Sequence, residues 1–177
     1  MQFEIPINTI TSIINFCSNK KVRSIINPAP AALLPDEVIK KIWMITPNEL
    51  EAEFLTGISV IDKKSTLDAA KKIINKGVEH CIITRGRKGS IWLSNLGGYE
   101  FNVPVVNAID TTAAGDVFNG YLANAISENL PIEKAIAQAH AAASLSVTIK
   151  GAQTSIPSKE ETITFLKYNP IISKKIY

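Results

Sequence analysis

His80-Cys81-Ile82-Ile83-Thr84 runs directly into Arg85-Gly86-Arg87-Lys88-Gly89. The apolar centre of the first five residues predicts a strand, and the basic, glycine-bearing run behind it predicts a turn. Upstream, Ser65 opens a helical pattern with Asp68 three residues on, close to a capping box, and Gly77 closes it after Lys76. Downstream, Ser90–Leu93 and Tyr99–Val103 flank Asn95-Leu96-Gly97-Gly98, which predicts a hairpin.

The alternation continues on both sides. Ile10, Ile13, Ile14 and Cys17 carry helical spacing across Asn8–Asn19. Val22–Ile26 is a β-branched run stopped at Asn27-Pro28, and Trp43–Thr46 is an apolar run stopped by Pro47. Between them Pro35 opens a short helix to Lys41, and Asn48–Leu55 is a helix closed by Gly57. Further on, helices are expected from Asp116 to about Glu128, from Ile132 to Thr148 and from Lys159 to Tyr168. This order predicts an α/β layered domain with a largely parallel sheet. Ligands of such sheets bind outside the carboxyl ends of the strands, where the motifs below fall.

The chain has 177 residues, 46% hydrophobic and 20% charged, which suits one domain with a real core. The net charge of +3 draws partly on Lys167, Lys174 and Lys175 and argues for neither nucleic acid nor membrane as a partner. Cys17 and Cys81 stand far apart and outside any Cys-x-x-Cys pattern, so both are expected as buried thiols in a reducing cytoplasm. No run of 18 apolar residues predicts a membrane span. The start, Met1-Gln2-Phe3-Glu4-Ile5-Pro6, lacks a signal-peptide pattern and reads like the middle of a domain.

Four stretches could carry chemistry. In Asp110-Thr111-Thr112-Ala113-Ala114-Gly115-Asp116, small residues precede a helix, so the amides of Ala113, Ala114 and Gly115 could face an anion. Asp116 there could accept a proton from an attacking hydroxyl, or could merely stabilise the helix start. The loop Thr84-Arg85-Gly86-Arg87-Lys88-Gly89 could hold phosphate through its basic residues and close backbone approach, or be a plain turn.

In the third stretch, Asn48 and Glu51 share the first turn of a helix. They could order water around Mg²⁺, or form a capping box. The fourth, Ala135–Ala143, is apolar almost all round and predicts a buried helix whose small residues admit a flat ligand. Within it His140 is either a nucleotide neighbour or a satisfied core histidine.

Together these stretches resemble the phosphofructokinase-B-type carbohydrate kinase family in its ribokinase-type branch. The resemblance rests on Met1–Glu4, Asn27–Ala31, Thr46–Glu49, Leu55–Gly57, Asp110–Gly120, Ala139–Ala143, Val147-Thr148 and Lys150–Gln153, with Ser155 and Pro157. It runs from Met1 to about Leu166, in family order and spacing. It implies a three-layer α/β/α ribokinase-like fold with a largely parallel sheet, a single domain over 1–177. The N-terminal strands and the lid of the longer family members have no counterpart here.

The implied activity is ATP-dependent phosphorylation of the primary hydroxyl of D-ribose, giving ribose 5-phosphate and ADP. The implied alternatives are a catalytically incomplete nucleotide-binding fragment that needs a partner half, and a related kinase for another sugar or nucleoside. Asp116 matches the catalytic base and a substrate contact, and Glu4 a carboxylate that contacts the sugar. The amides of Ala113, Ala114 and Gly115 match the anion hole for the γ-phosphoryl. Asn48, Glu51, Thr84, Arg85, Gly86, Arg87, Lys88, Gly89 and His140 match ATP and Mg²⁺ contacts.

Asp110, Thr112, Ser146, Ile149, Gly151 and Ser155 match a K⁺ site built largely from backbone carbonyls, which suit a hard cation. Ile149 stands where the family often has arginine, so its carbonyl is the expected ligand. Ribose and ATP are the implied small-molecule partners, with a homodimer or association with an N-terminal half as the alternatives for assembly. The implied location is cytoplasmic.

Overall fold

Strand β1 (Ile25–Ile26) lies parallel to β2 (Met44–Ile45), and β2 lies parallel to β3 (His80–Thr84). β3 then pairs antiparallel with β4 (Ser90–Ser94), which turns through Asn95-Leu96 into β5 (Gly97–Asn102). A further strand, β6 (Ile172–Lys175), completes the order β1-β2-β3-β4-β5-β6. These features come from a computed structural model that describes residues 1–176.

The sheet is therefore mixed, which corrects the expected largely parallel one. Helical segments join β1 to β2 and β2 to β3, as parallel pairing requires, whereas the short β3–β4 link and the two-residue β4–β5 turn force reversal. β6 carries no alternation of buried and exposed residues, all four being exposed, so no strand signal marks it in the sequence.

The chain divides into two compact units. The first comprises Met1–Gly86, Ser90–Glu100 and the end from Lys175. It holds helices α1 (Ile7–Asn19), α2 (Asp36–Ile39), α3 (Glu49–Thr56) and α4 (Lys63–Ile74). Ile10 and Ile14 of α1, Ala52 of α3, and Ala69 and Ile73 of α4 pack in one cluster with Ile26, Ile45, Cys81, Ile83 and Leu93 from the strands. Ile83 is fully buried there, so its truncation to alanine costs about 2–5 kcal/mol.

Helix α4 is capped three residues earlier than expected. Asp62, not Ser65, is the N-cap: its carboxylate accepts the Ser65 amide at 2.7 Å, and the Ser65 hydroxyl accepts the Asp62 amide at 3.0 Å. Both residue types cap helices, and Asp62 wins because Ser65 can reach back to it. Of the two thiols, Cys81 is buried in this cluster as expected, whereas Cys17 is only half-buried on α1.

The second unit comprises Arg87–Gly89 and Phe101–Lys174. Its helices are α5 (Ala114–Ser127), α6 (Ile132–Ser146) and α7 (Lys159–Tyr168). Leu122 and Ala125 of α5 and Ile136, Ala139 and Ala142 of α6 are fully buried, and α5 packs along α6. The alanines among them let the two backbones approach closely. Ser158 caps α7 in a full capping box with Glu161. No helix among the described residues is long and apolar enough to cross a membrane.

Candidate active site

The head of α5 is built on Ala113. That residue sits at φ 60°, ψ 8°, the left-handed region, and serves as the N-cap without a side-chain hydrogen bond. A non-glycine residue is seldom found there, and strain of this kind gathers at functional sites. Nothing in the sequence hints at it, because alanine is an ordinary helix former.

After this turn Gly115 and Asp116 stand in the first turn of α5, both exposed. A Cβ added to Gly115 would meet nothing within 4 Å, so the space in front of the helix is open. The helix dipole favours an anion at this end. The Ala114 amide donates to the Thr111 carbonyl at 3.3 Å within the turn.

Beside this head runs an open groove of about 410 Å³ lined by Ala113, Asp116, Gly120, Tyr121, Gln138 and Lys159, among others. The Tyr121 hydroxyl donates to the Pro157 carbonyl, fixing the groove wall.

Behind the head, Asp110 joins two loops. One carboxylate oxygen accepts the Thr112 amide and the other the Gly151 amide, both at 2.9 Å. Bonds from Thr112, then from the Gly151 amide, hold its pKa down at about 2. The other residues assigned to the cation are close in sequence to these loops. The Ser146 hydroxyl donates to the Ala143 carbonyl and the Ser155 hydroxyl to the Ala152 carbonyl, each at 3.0 Å. Ile149 is exposed, and its amide donates to the Ser146 carbonyl at 3.2 Å. A set of one carboxylate and several carbonyls fits a monovalent cation.

His140 is buried beside two aromatic rings. It is 5% exposed, with its ring 4.9 Å from that of Phe118 and 6.3 Å from that of Phe101. Gly89 is buried. At φ +79° its added Cβ would stand 1.8 Å from the Phe101 carbonyl oxygen, so the close approach this glycine permits is to strand β5. Arg87 and Lys88 are exposed in a 3₁₀ turn over Gly86–Lys88.

In the first unit, Asn48 and Glu51 form the capping box. Asn48 Oδ1 accepts the Glu51 amide at 2.9 Å, while the Glu51 carboxylate accepts the Asn48 amide and Nδ2 at 2.8 Å each. Burial pushes the Glu51 pKa up, partly countered by the Asn48 amide. Each carboxylate oxygen keeps acceptor capacity for ordered water, so the cap and a role toward Mg²⁺ are compatible. Asn48 also bridges Thr84, whose amide donates to the Pro47 carbonyl at 2.9 Å.

Gly86, next along, is exposed at φ +53° with open space where a Cβ would stand. Arg85 is different. It is 7% exposed, and its guanidinium contacts Glu100 at 2.9 Å. Glu4 is exposed just beyond the parallel bridge between Gln2 and Asn27.

The model of the family "pfkB family carbohydrate kinase" matches residues 1–159, a span that runs through both units. The ribokinase of Haemophilus influenzae is 44% identical over 169 residues, covering 95% of this chain and 55% of its own length. The deoxyribokinase of Salmonella typhi is 36% identical, covering 96% of this chain and 56% of its own length. Among solved structures, that of Arabidopsis thaliana ribokinase complexed with ribose and ATP matches with a TM-score of 0.89 at 30% identity. The match covers 94% of this chain and 54% of that one. The chain thus spans about half the length of the relatives it matches, as their 54–56% coverage gives.

Proposed function

The chain belongs to the pfkB family of carbohydrate kinases, and from that premise we propose that it carries the ATP-binding and phosphoryl-transfer part of a ribokinase-type enzyme. The reaction is transfer of the γ-phosphoryl of ATP to the primary hydroxyl of D-ribose. The observation that carries this reading is the pair Gly115-Asp116 at the open head of α5. Partial positive charge from the helix end and a carboxylate there meet the two needs of phosphoryl transfer to an alcohol. One is a grip on the migrating anion; the other is an acceptor for the hydroxyl proton.

The Gly115 amide, with that of Ala113, grips the phosphoryl, and Asp116 takes the sugar's proton. Thr84, Gly86, Arg87 and Lys88 contact the nucleotide, and Glu4 contacts the sugar. Asn48 and Glu51 would hold Mg²⁺, in part through ordered water, and Asp110 with Thr112 and the carbonyls near Ser146, Ile149, Gly151 and Ser155 would hold K⁺. Bound there, the cations would neutralise phosphate charge and stiffen the loops around it. The chain's residues act by orientation and by fixed dipoles, the two effects that contribute most to this chemistry.

A second reading, a nucleotide-binding part that needs a complementary half for turnover, is favoured by the roles assigned above: most go to nucleotide or cations, and only Glu4 and Asp116 to the sugar. Supplying ATP, Mg²⁺ and K⁺ with ribose or deoxyribose separates the two. Sugar-dependent ADP release supports the kinase, and the preferred sugar identifies its acceptor. Saturable ATP binding without turnover supports the second reading. Neither binding nor turnover would remove both.

A further inference from the structure

We infer that Arg85 and Glu100 form a clamp that positions the loop after β3 for nucleotide binding, an inference that rests on the nucleotide reading above. Arg85 is the first of three basic residues on this loop, and by charge alone it would be a phosphate ligand. Its surroundings assign it another task. The guanidinium is buried, and one Nη lies 2.9 Å from Glu100 Oε1. The other oxygen of the same carboxylate accepts the ammonium of Lys63, the first residue of α4. One carboxylate on β5 therefore ties the loop to a helix start.

The Glu100 pKa is raised by burial and lowered more by Lys63 and Arg85, so the group is a settled anion between two cations. Withdrawing Arg85 toward a phosphate would strand a partly desolvated carboxylate, which is costly. The residues on either side of Arg85 are the ones left for the ligand. Thr84 is bridged to Asn48, and Gly86 is exposed with open space around its α-carbon. Arg85 is thus a positioning residue, holding Thr84 and Gly86 while making no phosphate contact itself.

The two roles predict opposite signs at Glu100. If Arg85 touched phosphate, removing the neighbouring negative charge would leave nucleotide affinity unchanged or raise it. If the pair is a clamp, removing the charge frees the loop and lowers affinity. The experiment is equilibrium titration of the full chain with a fluorescent ATP analogue and Mg²⁺, below the melting temperature of every variant. Glu100→Gln and Arg85→Met are each expected to weaken binding about tenfold, the scale of one charged hydrogen bond. The double variant is expected to be no weaker than either single one, because the two residues act as a unit.

Glu100→Asp keeps the charge but cannot reach both cations, and it serves where the other variants fail to fold. It is expected to weaken binding about threefold, the smaller effect of a strained pair. Unchanged or tighter binding in Glu100→Gln, or in Glu100→Asp where that variant stands in, overturns the clamp even if melting temperatures fall. Absence of nucleotide binding in the unaltered chain would overturn the nucleotide reading and the clamp together.

Discussion

The amide of Gly151 donates to the carboxylate of Asp110 at 2.9 Å, joining two loops 41 residues apart in sequence. Thr112 adds its own bonds to the same carboxylate, and together they hold its pKa at about 2, against 3.8 for an ordinary aspartate. A folded-state pKa depressed in this way contributes stability that is fully present above the unfolded value and is lost as pH falls through the folded one. The expected loss therefore runs from about pH 4 down to about pH 2. Acid titrations followed by circular dichroism should show this component in the native chain and not in Asp110→Asn. Asp110→Ala should also reduce the response of nucleotide binding to K⁺, and an identical K⁺ profile would remove Asp110 from the cation site.

Ala113 at φ 60° carries the cost of a left-handed alanine. Replacing it with glycine relieves about 1–2 kcal/mol of steric strain and adds about 0.4–1 kcal/mol of unfolded-state entropy. The net expectation for Ala113→Gly is stabilisation by about 1 kcal/mol, read from the urea midpoint at constant slope. A lower midpoint would mean that the methyl group makes contacts that outweigh the strain.

Gly89 and Gly115 should respond in opposite ways. A Cβ at Gly89 would collide with the Phe101 carbonyl at 1.8 Å, and its φ of +79° disfavours any side chain. Gly89→Ala should therefore cost about 3 kcal/mol or more. At Gly115 a side chain meets open space, so Gly115→Val should change stability by less than about 1 kcal/mol. It should nevertheless abolish saturable ATP binding, because the side chain would occupy the place proposed for the phosphate. Thermal melts and ATP titrations on the two variants read both effects.

His80 lies between Trp43 and Trp92, with ring centroids 4.9 Å and 5.9 Å away, and its Nδ1 accepts the Trp92 indole N–H at 3.3 Å. That bond requires an unprotonated Nδ1. Burial, then the charge of Arg23, lowers the imidazole pKa from 6.5. The unfolded state therefore binds more protons below this value. The stabilising contribution is complete above about pH 6.5 and declines as pH falls through the window below it. Tryptophan fluorescence melts between about pH 7.5 and about pH 4.5 should show this decline, and His80→Gln should flatten it.

Elements with strong local signals are legible in the residues themselves. β3 and α7 fall on the expected bounds because an apolar run and a capped periodic stretch each end sharply. The glycines of the β4–β5 hairpin mark it in the sequence, although its turn is only Asn95-Leu96. The α5 motif is legible as a helix start, and the left-handed backbone of Ala113 is not, since only tertiary packing can hold alanine there. The charge of Arg85 suggests a ligand because its partner Glu100 stands 15 residues away with no pattern linking them. The neighbours of His140 and Gly89 are hidden in the sequence for a related reason. What surrounds them, Phe118 for one and the Phe101 backbone for the other, is set by packing between elements.

Asp116 separates chemistry from binding. Asp116→Asn preserves shape and hydrogen-bonding capacity while removing the proton acceptor. It should leave ATP affinity within about twofold of the unaltered chain and lower any sugar-dependent ADP release by about 10²–10⁴. Equal ADP release would take Asp116 out of its role.

The head of α5 can be observed directly by titrating ¹⁵N-labelled chain with ATP and Mg²⁺ while following backbone amide resonances. The expected result is saturable shifts at Ala113, Gly115 and Asp116, absent in Gly115→Val. Saturable binding with those amides unmoved would contradict the phosphoryl grip at this helix end.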